Sequence, residues 1–102
     1  MTKKIITEDL ERLSELARGL SHQHRLKIIK ILAKLPSDNQ CMVSSLVDQL
    51  PIAQSTVSQH LKILKETGWI EGRIDGPRVC YCIKEDVFAE YKNDLEQLFD
   101  FY

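Results

Sequence analysis

Gln54-Ser55-Thr56-Val57-Ser58-Gln59-His60-Leu61-Lys62-Ile63-Leu64-Lys65-Glu66-Thr67-Gly68-Trp69-Ile70 is the stretch on which the fold turns. Val57, Leu61 and Leu64 recur at the helical period, and Gly68 suits a C-terminal stop, so the spacing predicts a helix over 54–67. Outside Val57, its first half carries Gln54, Ser55, Thr56, Ser58, Gln59 and His60: short or planar hydrogen-bonding groups without negative charge. Amide side chains pair with adenine, and hydroxyls meet bases or phosphates. Lys62 and Lys65 lie further along, suited to a polyanion backbone.

Upstream, a short helix is expected over 44–50, with Leu46, Val47 and Leu50 inward and Pro51 ending it. The two helices and the tight link between them have helix-turn-helix spacing, in which the second helix enters the major groove. Before them, Leu10, Leu13, Ala17 and Leu20 predict a helix over 7–18 that Gly19 stops. Ser21 is placed to cap a second helix, apolar on several sides and therefore central, up to the break at Pro36-Ser37-Asp38-Asn39.

Downstream, 69–74 and 78–83 alternate like strands around an Asp75-Gly76-Pro77 turn. Counting from that turn pairs Arg73 with Arg78, Glu71 with Cys80 and Trp69 with Cys82, and puts Ile70, Ile74, Val79, Tyr81 and Ile83 on the core face. Two opposed arginines repel, and a phosphate between them relieves the repulsion; splaying of two long side chains is the alternative. A last helix over 85–101 shows Val87, Phe88, Tyr91, Leu95, Leu98, Phe99 and Tyr102 on its apolar face. The fold class expected is mainly α with a small β-hairpin, a winged helix-turn-helix in the order α-α-α-α-β-β-α.

A solvated polar face would look the same as the 54–60 face by periodicity. Three features favour nucleic acid: the preceding short helix, the hairpin that follows at once, and the lack of an exposed acid before Glu66.

The 102 residues suit one domain, 1–102, with little room for a catalytic one. No Gly-rich phosphate loop, nucleophile elbow or H-E-x-x-H appears, so no enzyme is expected. Net charge is −1, but from residue 84 onward there are two basic and six acidic residues, which leaves residues 1–83 at +3. A polyanion therefore meets the body and not the acidic tail. No apolar run has the length of a membrane span or a signal peptide, and a cytoplasmic protein is expected. The near-neutral total keeps open a winged-helix module that meets only proteins; a steep fall of duplex affinity with salt separates the two.

Leu20-Ser21-His22-Gln23-His24-Arg25-Leu26-Lys27-Ile28-Ile29 resembles the "L-(G/S)-(D/H)-x-x-R-L-x-I-L" helix start of the ArsR/SmtB family of bacterial repressors. Residues 55–64 resemble its "x-T-V-S-x-H-L-K-x-L" recognition helix. Gly68–Arg73 with Gly76–Tyr81 resemble its wing. The resemblance covers roughly residues 8–84. It implies a homodimer on an inverted-repeat operator in double-stranded DNA, with the terminal helices as the interface. The wide apolar faces agree: Leu10, Leu13 and Ala17 on the first helix, Tyr91, Leu95, Leu98 and Phe99 on the last. Packing of those faces on their own domain is the alternative.

No cofactor or metal site is expected. The family's "C-V-C-D-L" thiolate pattern meets Met42-Val43-Ser44-Ser45-Leu46, with Cys41 one residue off. The last helix holds Asp86, Glu90, Asp94, Glu96 and Asp100 but no histidine, and carboxylates alone select transition metals poorly. His22 and His24 read as surface or capping groups, His60 as a structural or phosphate contact. Cys80 and Cys82 share a strand face about 6.6 Å apart. That is too wide for easy zinc chelation, and a disulfide there would be strained. Packing is one reading of the pair; sensing of oxidant or soft metal by exposed thiols is the other.

Overall fold

The structure is a computed structural model that describes residues 7–34, 41–42 and 46–100, with side chains from 10–34 and from 46–100 other than 75 and 78. Helix α1 spans Thr7–Leu20, α2 Gln23–Ala33, α3 Gln54–Thr67 and α4 Glu85–Leu98; strands are β1 Cys41–Met42, β2 Ile70–Asp75 and β3 Arg78–Ile83. The expected break at 36–39, the start of the 44–50 helix and the end of the last helix at 101 lie outside the described residues. Of the 44–50 helix, Leu46 and Val47 are helical, and a turn follows at Asp48–Gln49.

The core joins Leu16 of α1, Ile28, Ile29 and Leu32 of α2, Leu46, Leu50, and Val57, Leu61 and Leu64 of α3 to Trp69, Ile70 and Val87. The α3 residues are the apolar stripe read from the sequence. Gly68 closes α3 at φ 103, a left-handed conformation that costs glycine nothing. Gly68 N–H donates to Lys65 O and Trp69 N–H to Leu64 O, at 3.2 and 3.0 Å, the paired bonds of a Schellman stop. That stop delivers the chain directly into the hairpin.

Three local expectations are corrected. Gly19 does not end α1 but lies inside it, where a Cβ would press on the Thr67 hydroxyl and come within 2.6 Å of Trp69 Cδ1. It is there for close approach. Ser21 does not cap α2; its hydroxyl donates to Arg18 O, and His22 is the cap, its Nδ1 accepting from His24 N–H at 3.1 Å. The sheet has a third strand, in the order β1-β3-β2, because β1 pairs antiparallel with β3 through Cys41↔Tyr81 and Met42↔Cys80.

The hairpin register also differs from the expected one. Gly76 and Pro77 alone form the loop, so Asp75 faces Arg78, Ile74 faces Val79, Arg73 faces Cys80 and Glu71 faces Cys82. Gly76 at φ 62 followed by proline has the sign pattern of a II′ turn, which fits the twist of a two-residue hairpin. Ile70, Ile74, Val79, Tyr81 and Ile83 do share one face. Ile74 is nonetheless 84% exposed and Val79 42%, because the tip reaches past the body of the fold.

Helix α4 returns across α1, where Arg12 Nε and Nη2 donate to the two Glu90 oxygens at 2.8 and 3.3 Å. The bond holds the Glu90 carboxyl below the usual carboxylate range and raises the Arg12 guanidinium. A carboxylate with a lower pKa folded than unfolded stabilises above the unfolded value and stops doing so as pH falls through the folded one. The side chains are 44% and 40% exposed, so the pair is worth at most about 1 kcal/mol. Glu90→Gln is therefore expected to lose less than about 1 kcal/mol in urea unfolding at pH 7 and nothing well below the carboxylate range. Equal losses at both would exclude the ion pair as the cause.

Candidate nucleic-acid interface

Gln54, Ser55, Thr56, Ser58, Gln59, Lys62 and Lys65 are all exposed on one side of α3. Its buried side, Val57, Leu61 and Leu64, fixes that orientation. The N-cap is Ala53, in extended conformation and with no side chain capping the helix. Thr56 N–H turns back to Ala53 O at 3.0 Å, and no side chain competes with an anion for the positive end of the helix dipole at this start.

His60 departs from this group. It lies on the inner side of α3, 7% exposed, with Nδ1 3.1 Å from Arg25 Nη1. Guanidinium nitrogens only donate, so Nδ1 is the acceptor. Burial, then His22, Arg25 and His24, push the His60 imidazole below the usual histidine range. Its ring sits 4.5 Å from that of His22 and 5.9 Å from that of His24, centroid to centroid. In the sequence these three histidines stand as separate residues. Their convergence depends on the packing of α2 against α3, which no local spacing reveals.

Arg25 is buried. Its Nε donates to Gly19 O at 2.8 Å and Nη2 to Arg18 O at 3.3 Å and Ser21 Oγ at 3.4 Å. A guanidinium thus caps the C-terminus of α1 and holds α3 in the same grip. Desolvation first, and Arg18 second, lower its pKa.

On the hairpin, Arg73 is exposed, with Nε 3.9 Å from Glu71 Oε2 on its own strand. It does not face Arg78, so the opposed-arginine clamp is replaced by two cations on different rungs; the Arg78 side chain lies outside the described residues. Cys80 is buried and Cys82 half-buried, so the pair is not the exposed one the sensing reading needs. Burial makes Cys80 less accessible to oxidant or soft metal than an exposed thiol.

Of the expected interface residues, Leu10 and Phe99 are exposed, at 44% and 51%, and Ala17 is exposed as well. Tyr91, Leu95 and Leu98 are half-buried. Leu13 turns inward and is buried in its own chain. Among the described residues no helix is long and apolar enough to cross a membrane.

Residues 22–71 match the family model described as "Bacterial regulatory protein, arsR family". An uncharacterized HTH-type transcriptional regulator of Methanocaldococcus jannaschii is 32% identical over 91 residues, 89% of this chain and 99% of that one. The chain belongs to the ArsR/SmtB family of winged-helix transcriptional regulators. The HTH-type transcriptional repressor SmtB of Mycobacterium tuberculosis is 40% identical over 82 residues, 80% of this chain and 58% of that protein's length. An ArsR-like transcriptional regulator from Rhodococcus sp. RHA1 shares the fold at a TM-score of 0.80, covering 94% of this chain and 84% of that one, with 21% identity. The protein is thus a DNA-binding transcriptional regulator and not an enzyme. The module that meets only proteins falls away.

Proposed function

We propose that this ArsR/SmtB-family chain, acting as one domain over 1–102, works as a homodimeric repressor on an inverted-repeat operator in the cytoplasm. The observation that carries the reading is the exposed polar side of α3, from Gln54 to Lys62, beside a helix start with no side-chain cap. Gln54, Ser55, Thr56, Ser58 and Gln59 read base edges and the nearby phosphates, and Lys62 holds the backbone. Arg73 and Arg78 add backbone contacts from the wing. Leu10, Ala17, Leu95, Leu98 and Phe99 supply the dimer face, with Tyr91 at its inner margin. The exposed Leu10 on the first helix supports this, since a large apolar group facing outward on a terminal helix favours self-association. A two-fold axis then sets half-sites about one helical turn apart.

The test is selection of binding sites from random duplexes, followed by variants on the selected site. Gln59→Ala and Ser58→Ala are each expected to cost about 1–3 kcal/mol and to relax preference at a single base position. Parent-like binding by both would remove α3 as the reader. Replacing Arg73 and Arg78 together by alanine is expected to weaken all sequences alike and to flatten the salt slope, by about one unit for each phosphate no longer neutralised.

A further inference from the structure

We propose that His22, His24 and His60 form a binding site for a divalent transition-metal ion between the start of α2 and the middle of α3. One ligand nitrogen from each of the three lies within 4.8 Å of the others. Among the described residues this is the one group of three or more histidine, cysteine or carboxylate side chains that converges in this way. Tetrahedral zinc, at about 2.0–2.1 Å from each nitrogen, needs them about 3.3–3.4 Å apart. The contraction of roughly 1.4 Å is small enough for side-chain rotation. His60 is buried and fixed, His24 is half-buried, and His22 lies at the mouth on the cap of α2.

The donor set names the ion class. Three imidazoles with neither carboxylate nor thiolate suit zinc, cobalt, nickel or copper and give magnesium and calcium nothing to hold. Three protein ligands leave a fourth position for water.

Without metal, Nδ1 of His22 accepts from His24 N–H and Nδ1 of His60 accepts from Arg25, so each neutral ring carries its proton on Nε2. The ion takes Nδ1 in place of the donor, or takes Nε2 once the ring proton has moved to Nδ1. Either route ends both hydrogen bonds and releases no net proton from neutral rings. Three metal–nitrogen bonds replace two hydrogen bonds. Arg25 keeps its bonds to Gly19 O, Arg18 O and Ser21 Oγ, so the cation next to the site remains anchored to the α1 carbonyls. Metal would then join α2 to α3 where Arg25 does so without it.

The test uses the full chain without a histidine tag, Co²⁺ alone, and visible absorption, with Zn²⁺ as competitor. One Co²⁺ per chain is expected, with the intense bands of four-coordinate geometry and displacement by Zn²⁺. His22→Asn keeps a good N-cap while removing the imidazole. His22→Asn and His24→Gln are each expected to weaken binding at least about tenfold, with metal-free thermal unfolding close to the parent's. Cys82→Ser is expected to leave binding unchanged. Absence of saturable binding, binding that survives both histidine variants, or binding abolished by Cys82→Ser would overturn the site. No DNA is present, so the outcome is separate from that of the groove reading.

Discussion

Trp69→Ala is expected to cost about 3–5 kcal/mol of unfolding free energy, the range for a large aromatic removed from a packed core. Trp69 is fully buried at the junction of three elements. Its indole N–H donates to Leu16 O of α1 at 2.8 Å, and its ring meets Phe88 and Tyr91 of α4 edge-on, at 4.7 and 5.0 Å between centroids. It also follows Gly68, so it belongs to the stop that joins α3 to the wing. One side chain therefore sets the angle of the reading helix, the root of the hairpin and the seat of both terminal helices. Small domains hold about 5–15 kcal/mol in total, so the variant should be partly unfolded in dilute buffer. Urea unfolding followed by circular dichroism, at one fixed protein concentration because association adds stability, gives the number. Trp69→Phe keeps most of the area and loses the N–H; it should cost about 1–2 kcal/mol. A loss below about 1 kcal/mol for the alanine variant would mean that the terminal helices close over the gap, and Trp69 would not set the seat of the helices and the hairpin.

The groove side of the fold was legible because it obeys local rules. Val57, Leu61 and Leu64 mark one side of a helix, and that fixes where Gln54, Ser58 and Gln59 point. Gly68 marks the stop. The alternation of β2 and β3 gave the shared faces but not the rungs, because register depends on whether the loop holds two residues or three. With Gly76-Pro77 as the whole loop, the partner of Arg73 changes from an arginine to Cys80. β1 was missed because two residues carry no period; the free edge of β3 makes Cys41–Met42 a strand. Gly19 read as punctuation because glycine has two uses, and only the nearness of Thr67 and Trp69 tells close packing from a helix end. The three histidines were hidden for the same reason: His60 meets His22 and His24 through tertiary packing.

Arg25→Met is expected to destabilise by about 2–3 kcal/mol, although methionine fills much of the same space. Arg25 is a buried cation whose hydrogen-bond partners among the described residues include no carboxylate. Its compensation comes from the C-terminal end of α1, where Arg18 O and Gly19 O concentrate the negative end of the helix dipole. Methionine leaves those carbonyls facing an apolar group, the case in which a lost hydrogen bond costs most. Arg25→Lys should recover less than half of the loss, because one ammonium cannot span Gly19 O, Arg18 O and His60 Nδ1 as a planar fork does. The same bonds locate α3 against α1, so operator affinity should fall in Arg25→Met more than stability alone predicts, under conditions where the variant is fully folded. The affinity loss should be uniform across operator sequences, since Arg25 is buried away from the groove side. A variant with reduced stability and parent-like affinity would confine Arg25 to capping α1 and sever its link to the reading helix.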